Sequence, residues 1–140
     1  ITFMSHVKIE SASMFWNYSN AMDFINPKRE VDFESKMRIE KLGSMVKTAL
    51  DETAKEKGIP LQVPQVGSMF ALFFSEKPVT NFTEATQSNT DLFKTLFNKA
   101  LSNKVYLPPS AYETCFISTA HDSDIMESAI ESLCDALKKI

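Results

Sequence analysis

Val66-Gly67-Ser68-Met69-Phe70-Ala71-Leu72-Phe73-Phe74 is the stretch on which the reading of this chain turns. From Met69 to Phe74 the residues are apolar without a break, the pattern of a strand covered on both faces, so a strand is expected over 68–74. The segment before it, 61–66, reads as an edge strand, because Pro64 has no N–H to give to a ladder. Gly67 lies between the two and allows a bulge, a bend or the close approach of another backbone. A single glycine does not choose among these.

Upstream, Leu42, Met45, Val46, Ala49 and Leu50 recur at helical spacing and predict a long amphipathic helix within 31–57. Gly58 supplies a left-handed stop and Pro60 forbids continuation, which fixes the end of that helix. Downstream, a mostly polar loop is expected from Glu76 through Asn89. Ser88 with Asp91 forms a capping-box pattern for a second helix, whose apolar face is Leu92, Phe93, Leu96, Phe97, Ala100 and Leu101. Short strands are read over 105–107 and 114–118, joined by Pro108-Pro109-Ser110-Ala111-Tyr112-Glu113. Asp122 or Ser123 can cap a last helix carrying Ile125, Met126, Ala129, Ile130, Leu133, Cys134 and Leu137 on one face, and Lys138 and Lys139 suit its negative end. The expected order is helix, two strands, helix, two short strands, helix. That order favours an α+β domain, a small antiparallel or mixed sheet with helices packed on one face.

Residues 1–30 carry no readable motif, because neither a helical nor a strand period holds and the cluster Phe15, Trp16 and Tyr18 has no partner pattern. Ser19-Asn20-Ala21-Met22 resembles the remnant left by protease removal of an affinity tag, followed by a start methionine. Residues 1–21 are therefore unassigned, with a tag-derived segment and an ordinary loop as the two readings, and 22–140 is taken as one small domain. No internal repeat or low-complexity tract is present.

With 140 residues, 44% of them hydrophobic, the chain has material for one domain with a modest core. Fifteen Lys and Arg stand against 18 Asp and Glu, with a sequence pI near 5.4, so no basic face large enough for a polyanion is expected and nucleic acid is not a partner. No apolar run approaches the roughly 18 to 20 residues that cross a bilayer, and no basic segment followed by an apolar block opens the chain. A soluble, cytoplasmic protein that does not engage membranes is the expectation. Cys115 and Cys134 lie in apolar contexts without metal spacing and are read as buried, reduced thiols, as that compartment allows. His6 and His121 are far apart and lack a cysteine and carboxylate set, so no metal site is expected; His121, just before a helix start, is read as bonding the local backbone. Gly43, Gly58 and Gly67 are too widely spaced for a dinucleotide fingerprint or a phosphate-binding loop.

Glu113 is the candidate with chemical content. It follows Pro-Pro-Ser-Ala-Tyr and precedes the apolar Thr114-Cys115-Phe116-Ile117, and rigid prolines beside a strand mouth can fix a carboxylate for charge recognition. A solvated turn glutamate is the commoner outcome for such a residue.

Val66-Gly67-Ser68-Met69-Phe70, then Pro78-Val79-Thr80-Asn81-Phe82, then Val105-Tyr106-Leu107, then Pro109-Ser110-Ala111-Tyr112-Glu113, and Phe116 with Ala120-His121, resemble the C-terminal domain of glutamate-1-semialdehyde 2,1-aminomutase. Each motif is weak singly, but their order and spacing match from Val66 to His121, and the flanking helices extend the likeness. Pro108 and Cys115 depart from the alanine and glycine often found there. The resemblance implies the small C-terminal domain of a homodimeric, aspartate-aminotransferase-like (class III) enzyme that uses pyridoxal 5'-phosphate. Such an enzyme converts a small molecule, glutamate 1-semialdehyde, to 5-aminolevulinate for tetrapyrrole synthesis. It also implies that this chain is a piece of a larger enzyme and inactive alone, since the cofactor-bearing lysine, the aspartate facing the pyridine nitrogen and most phosphate ligands lie upstream in that family. Glu113 would then stand where many aminotransferases place an arginine, disfavouring a second substrate carboxylate, with Ser110 and Tyr112 supporting its turn. Two other readings stay open, a related ω-aminotransferase small domain and a free-standing α+β ligand-binding or dimerisation module.

Overall fold

The long first helix, α1 (Phe33–Lys57), begins where Asp32 accepts a hydrogen bond from the Ser35 amide and ends at Gly58, whose φ of 66° is the left-handed stop expected of it. The computed structural model describes residues 32–140. His6, the aromatic cluster and the tag-like Ser19–Met22 lie outside the described residues. After α1 come β1 (Leu61–Gln62), β2 (Gln65–Val66), β3 (Met69–Phe70) and β4 (Phe73–Phe74). Then follow α2 (Phe82–Thr86), α3 (Thr90–Ser102), β5 (Cys115–Phe116) and α4 (Ser123–Leu137). This is the expected α+β class.

The four strands before α2 are one hairpin in a single register. Leu61 faces Phe74, Gln62 faces Phe73, Gln65 faces Phe70 and Val66 faces Met69. Between the two halves Pro64 has no amide to donate, yet its carbonyl still accepts from the Ala71 amide at 3.1 Å. Pro64 thus divides each expected strand into two short pieces without shifting the ladder. Gly67 and Ser68 make the two-residue connection, with Gly67 at φ 58°, so of the three roles open to this glycine the bulge falls away: the chain bends here in a tight turn, and the turn also approaches the backbone of α1 at Gly43.

β5 pairs with β3, placing Met69 opposite Phe116 and Phe70 opposite Cys115, so three antiparallel strands lie in the order β2-β3-β5. The expectation that 68–74 is covered on both faces is corrected. Phe70, Leu72 and Phe74 are buried, whereas Met69 is exposed and Ala71 and Phe73 are only half-buried. The outward row Val66, Met69 and Phe116 stays exposed, as a sheet with helices on one face requires.

The core joins Val46 and Leu50 of α1 to Phe70, to Leu96 and Ala100 of α3 and to Met126, Leu133 and Leu137 of α4. α4 packs on α1 and α3, and the Asn103 side chain donates to the Ser132 carbonyl at 2.9 Å to tie the last two together. Three further expectations are corrected. The polar loop 76–89 contains the short helix α2. Asn89 rather than Ser88 caps α3, accepting from the Asp91 and Leu92 amides, while the buried Ser88 hydroxyl donates to the Ala85 carbonyl at 2.6 Å. Val105 and Leu107 are buried but unpaired as strands, because Lys104 at φ 65° turns the chain out of α3 with the Val105 amide still bonded to the Ala100 carbonyl.

Gly43 sits mid-helix where the hairpin turn reaches α1, and a Cβ there would run into the Gly67 carbonyl oxygen. That same oxygen accepts from the Gln65 amide side chain at 2.7 Å. A mid-helix Gly→Ala change ordinarily gains about 1 kcal/mol. Here the collision reverses the sign, since overpacking against backbone costs about 1–3 kcal/mol. Gly43→Ala is therefore expected to lower the urea midpoint of the chain; a raised midpoint would show that the turn gives way freely.

Candidate functional site

Ser110, Tyr112 and Glu113, singled out from the sequence, lie on one turn. The Tyr112 amide donates to Ser110 Oγ at 3.2 Å and the Glu113 amide to the Ser110 carbonyl at 3.2 Å, so Ser110 braces the turn at both levels. Buried Leu107 and Ala111 hold it to the core, while Tyr112 and Glu113 face solvent. The Tyr112 ring meets Phe82 of α2, centroids 6.4 Å apart and planes tilted by 58°. Tyr112 also borders a groove of about 430 Å³ lined by Pro109, Phe93 and Phe97 together with Lys94 and Asn98.

The segment leaving this turn is anchored at two further points. The Ile117 amide donates to the Ser68 carbonyl at 2.8 Å, which seats β5 beside the hairpin turn. Beyond it Arg38 of α1 spreads its guanidinium over two carbonyls, Nη1 to His121 at 2.7 Å and Nη2 to Thr119 at 2.8 Å. His121 is buried, and its Nδ1 accepts from the Ser118 amide at 2.9 Å, the local backbone bond expected of it. Arg38 was not legible as a site residue. A single arginine on an amphipathic helix carries no signal that it will clamp a loop 81 residues away.

Cys115, two residues past Glu113, is buried and its thiol is pushed up to about 12, first by desolvation and then by the Glu113 charge. Cys134 is also buried, and its thiol reaches the Ala49 carbonyl at 3.7 Å. Both are free thiols, as expected, and neither is poised as a nucleophile. Opposite effects act on the exposed carboxylate of Glu84. The Thr80 amide and hydroxyl donate to it at 2.7 and 2.8 Å and hold it below the ordinary carboxylate range.

Among the described residues no three His, Cys, Asp or Glu side chains gather where a metal ion would bind. Every described lysine is exposed or half-buried. A pyridoxal 5'-phosphate aldehyde requires a desolvated lysine, so the described residues do not fit the cofactor's covalent anchor.

No protein-family model matches the chain. Glutamate-1-semialdehyde 2,1-aminomutase of Opitutus terrae is 43% identical over 103 residues, 74% of this chain and 24% of that protein. The enzymes of the same name from Thermus thermophilus and Staphylococcus haemolyticus (there numbered 2) are 42% and 36% identical over 99 and 107 residues, or 71% and 76% of this chain and 23% and 25% of theirs. Among solved structures, a glutamate-1-semialdehyde aminomutase from Pseudomonas aeruginosa matches 78% of this chain and 24% of its own with a TM-score of 0.67 at 19% identity. An ω-transaminase from Sphaerobacter thermophilus matches 85% and 26% with a TM-score of 0.60 at 19% identity. The chain thus spans about a quarter of the length of the curated relatives it matches, and the resemblance stated from its motifs holds. The structural likeness carries the fold, that of transaminase small domains.

The buried thiols give a testable pH dependence. With Cys115 moved from 9.0 to about 12, native alkylation by iodoacetamide should stay slow across pH 7–9, and both cysteines should react at once in denaturant. The folded chain keeps the proton longer than the unfolded one, so stability should fall as pH climbs above 9.0 toward 12. Fast native alkylation at pH 8 would place Cys115 in water.

Proposed function

We propose that this chain serves as the small C-terminal domain of a pyridoxal 5'-phosphate-dependent aminomutase that converts glutamate 1-semialdehyde to 5-aminolevulinate, and that it covers the substrate without carrying the reaction. The observation that carries this reading is the 36–43% sequence identity to aminomutases over about three quarters of this chain. When bound, pyridoxal 5'-phosphate would supply the electron sink. The part left to this chain is selection. A carboxylate carried by the braced turn at Glu113 opposes a second carboxylate on the substrate and leaves the uncharged aldehyde end acceptable. In this reading Ser110 and Tyr112 take supporting roles, Ser110 through its hydrogen bonds to the turn and Tyr112 through its ring.

In this reading the whole enzyme is a cytoplasmic homodimer acting in tetrapyrrole synthesis. No helix among the described residues is long and apolar enough to cross a membrane. The sequence relatives named above carry the aminomutase name rather than that of an ω-aminotransferase, and no observation favours a free-standing module.

Replacing the matching stretch of the Opitutus terrae enzyme with residues of this chain tests the proposal. The hybrid should convert glutamate 1-semialdehyde to 5-aminolevulinate. Glu113→Gln in it should raise kcat/KM for a dicarboxylate amino donor relative to the semialdehyde by roughly tenfold, the size of one close like-charge contact. This chain alone, mixed with pyridoxal 5'-phosphate and borohydride, should give no stoichiometric adduct at one lysine. A hybrid that exchanges amino groups with a keto acid but leaves the semialdehyde untouched would sink the aminomutase assignment.

A further inference from the structure

We propose that Phe82 is a positioning residue: its ring, seated against Tyr112, holds the turn that carries Glu113. The inference rests on the reading of Glu113 as the group that selects the substrate, and it reaches a residue that reading does not use. Phe82 is 74% exposed, and Ala85 is the buried residue of α2, so the ring is not there to fill the core. Its ring partner among the described residues is Tyr112, adjacent along the chain to Glu113. Separation and tilt fall in the range where aromatic pairs attract beyond simple burial.

The platform under Phe82 is unusually well tied for a helix of five residues. Asn81 accepts from the Glu84 amide at 3.0 Å, and the Glu84 carboxylate returns to the Thr80 amide and hydroxyl. Thr86 Oγ1 donates to the Thr83 carbonyl at 2.8 Å, and the Asn89 amide donates to the Phe74 carbonyl at 2.9 Å, which fastens the end of the segment to β4. These bonds hold the backbone of the segment on which Phe82 stands. Tyr112 also forms part of the groove wall with Phe93 and Phe97. Tyr112 thus meets both Phe82 and the groove lined by α3, and Glu113 is the next residue along the chain. Ser110 alone supplies hydrogen bonds within the turn; Phe82 ties the turn to a second element.

Hydrogen exchange on this chain tests the proposal directly. In Phe82→Ala the Glu113 amide, bonded to the Ser110 carbonyl, should exchange roughly two- to tenfold faster, the range expected for loss of one aromatic pair, while amides of α3 and α4 keep their rates. Phe82→Tyr should restore protection. Unchanged exchange at Glu113, or equal acceleration throughout the domain, would overturn it. In the hybrid enzyme Phe82→Ala should relax the preference for the semialdehyde over a dicarboxylate in the same direction as Glu113→Gln, and the double variant should lose little more than either single one. Additive effects would overturn the coupling. If Glu113→Gln leaves the preference unchanged while Phe82→Ala still loosens the turn, the substrate reading fails and the positioning role stands.

Discussion

The close approach of the hairpin turn to Gly43 of α1 is the contact from which the rest of the layout follows. No side chain stands between helix and turn, so the Gly67 carbonyl comes down onto the helix backbone. That depth sets where the ladder begins, because a two-residue connection leaves no slack between β2 and β3. Ser68, next in the chain, presents its carbonyl to Ile117, and β5 must then lie beside β3. Through β5 the position of Glu113 is decided by a glycine 70 residues earlier. The Arg38 fork, five residues before Gly43 on the same helix, fastens the far end of that segment. Two points on one helix therefore hold the strand that carries the candidate site.

What could be read from the sequence was governed by locality. The ends of α1 and α4 were legible because Gly58 and Asp122 act on backbone groups within a few residues. The hairpin was legible in outline, while its interruption was placed in one strand although Pro64 breaks the pairing of both. Runs of apolar residues misled in one respect: six in succession at Met69 to Phe74 suggested two covered faces, yet Met69 is left open. Composition along one strand cannot say whether a partner layer exists on its far side. The cap of α3 was missed by one residue because Ser88 and Asn89 are both good cap residues, and the choice depends on Ser88 being buried against Ala85. Val105 and Leu107 look like strand residues because they are buried, but burial came from packing under the loop rather than from a ladder.

The candidate site divides along the same line. Ser110, Tyr112 and Glu113 are neighbours in sequence, and their turn uses hydrogen bonds that span two or three residues, so the sequence places them together. Arg38 and Phe82 reach this region from other elements, through contacts across dozens of residues, and no local pattern announces them. The burial of Cys115 links the two kinds of information: its apolar setting was legible, whereas the added push from the Glu113 charge requires knowing that the thiol is turned inward below that carboxylate's segment.

The exposure of Glu113 bears on what a domain of this kind can do alone. Two like charges about 4 Å apart repel by about 1 kcal/mol in water, but by about 4 kcal/mol where the effective dielectric is near 20. With each tenfold step in preference worth about 1.4 kcal/mol, the first figure gives less than one step and the second nearly three. Glu113 sits in solvent in this structure, where a carboxylate discriminates weakly whatever its orientation. Strong selection therefore needs a second surface that excludes water over the turn. Rigidity matters in the same measure, since a carboxylate that can swing away lets a second negative charge in at little cost. The turn braced at Ser110 holds the backbone of Glu113, so under the proposed function what this domain contributes is a position rather than a reactive group.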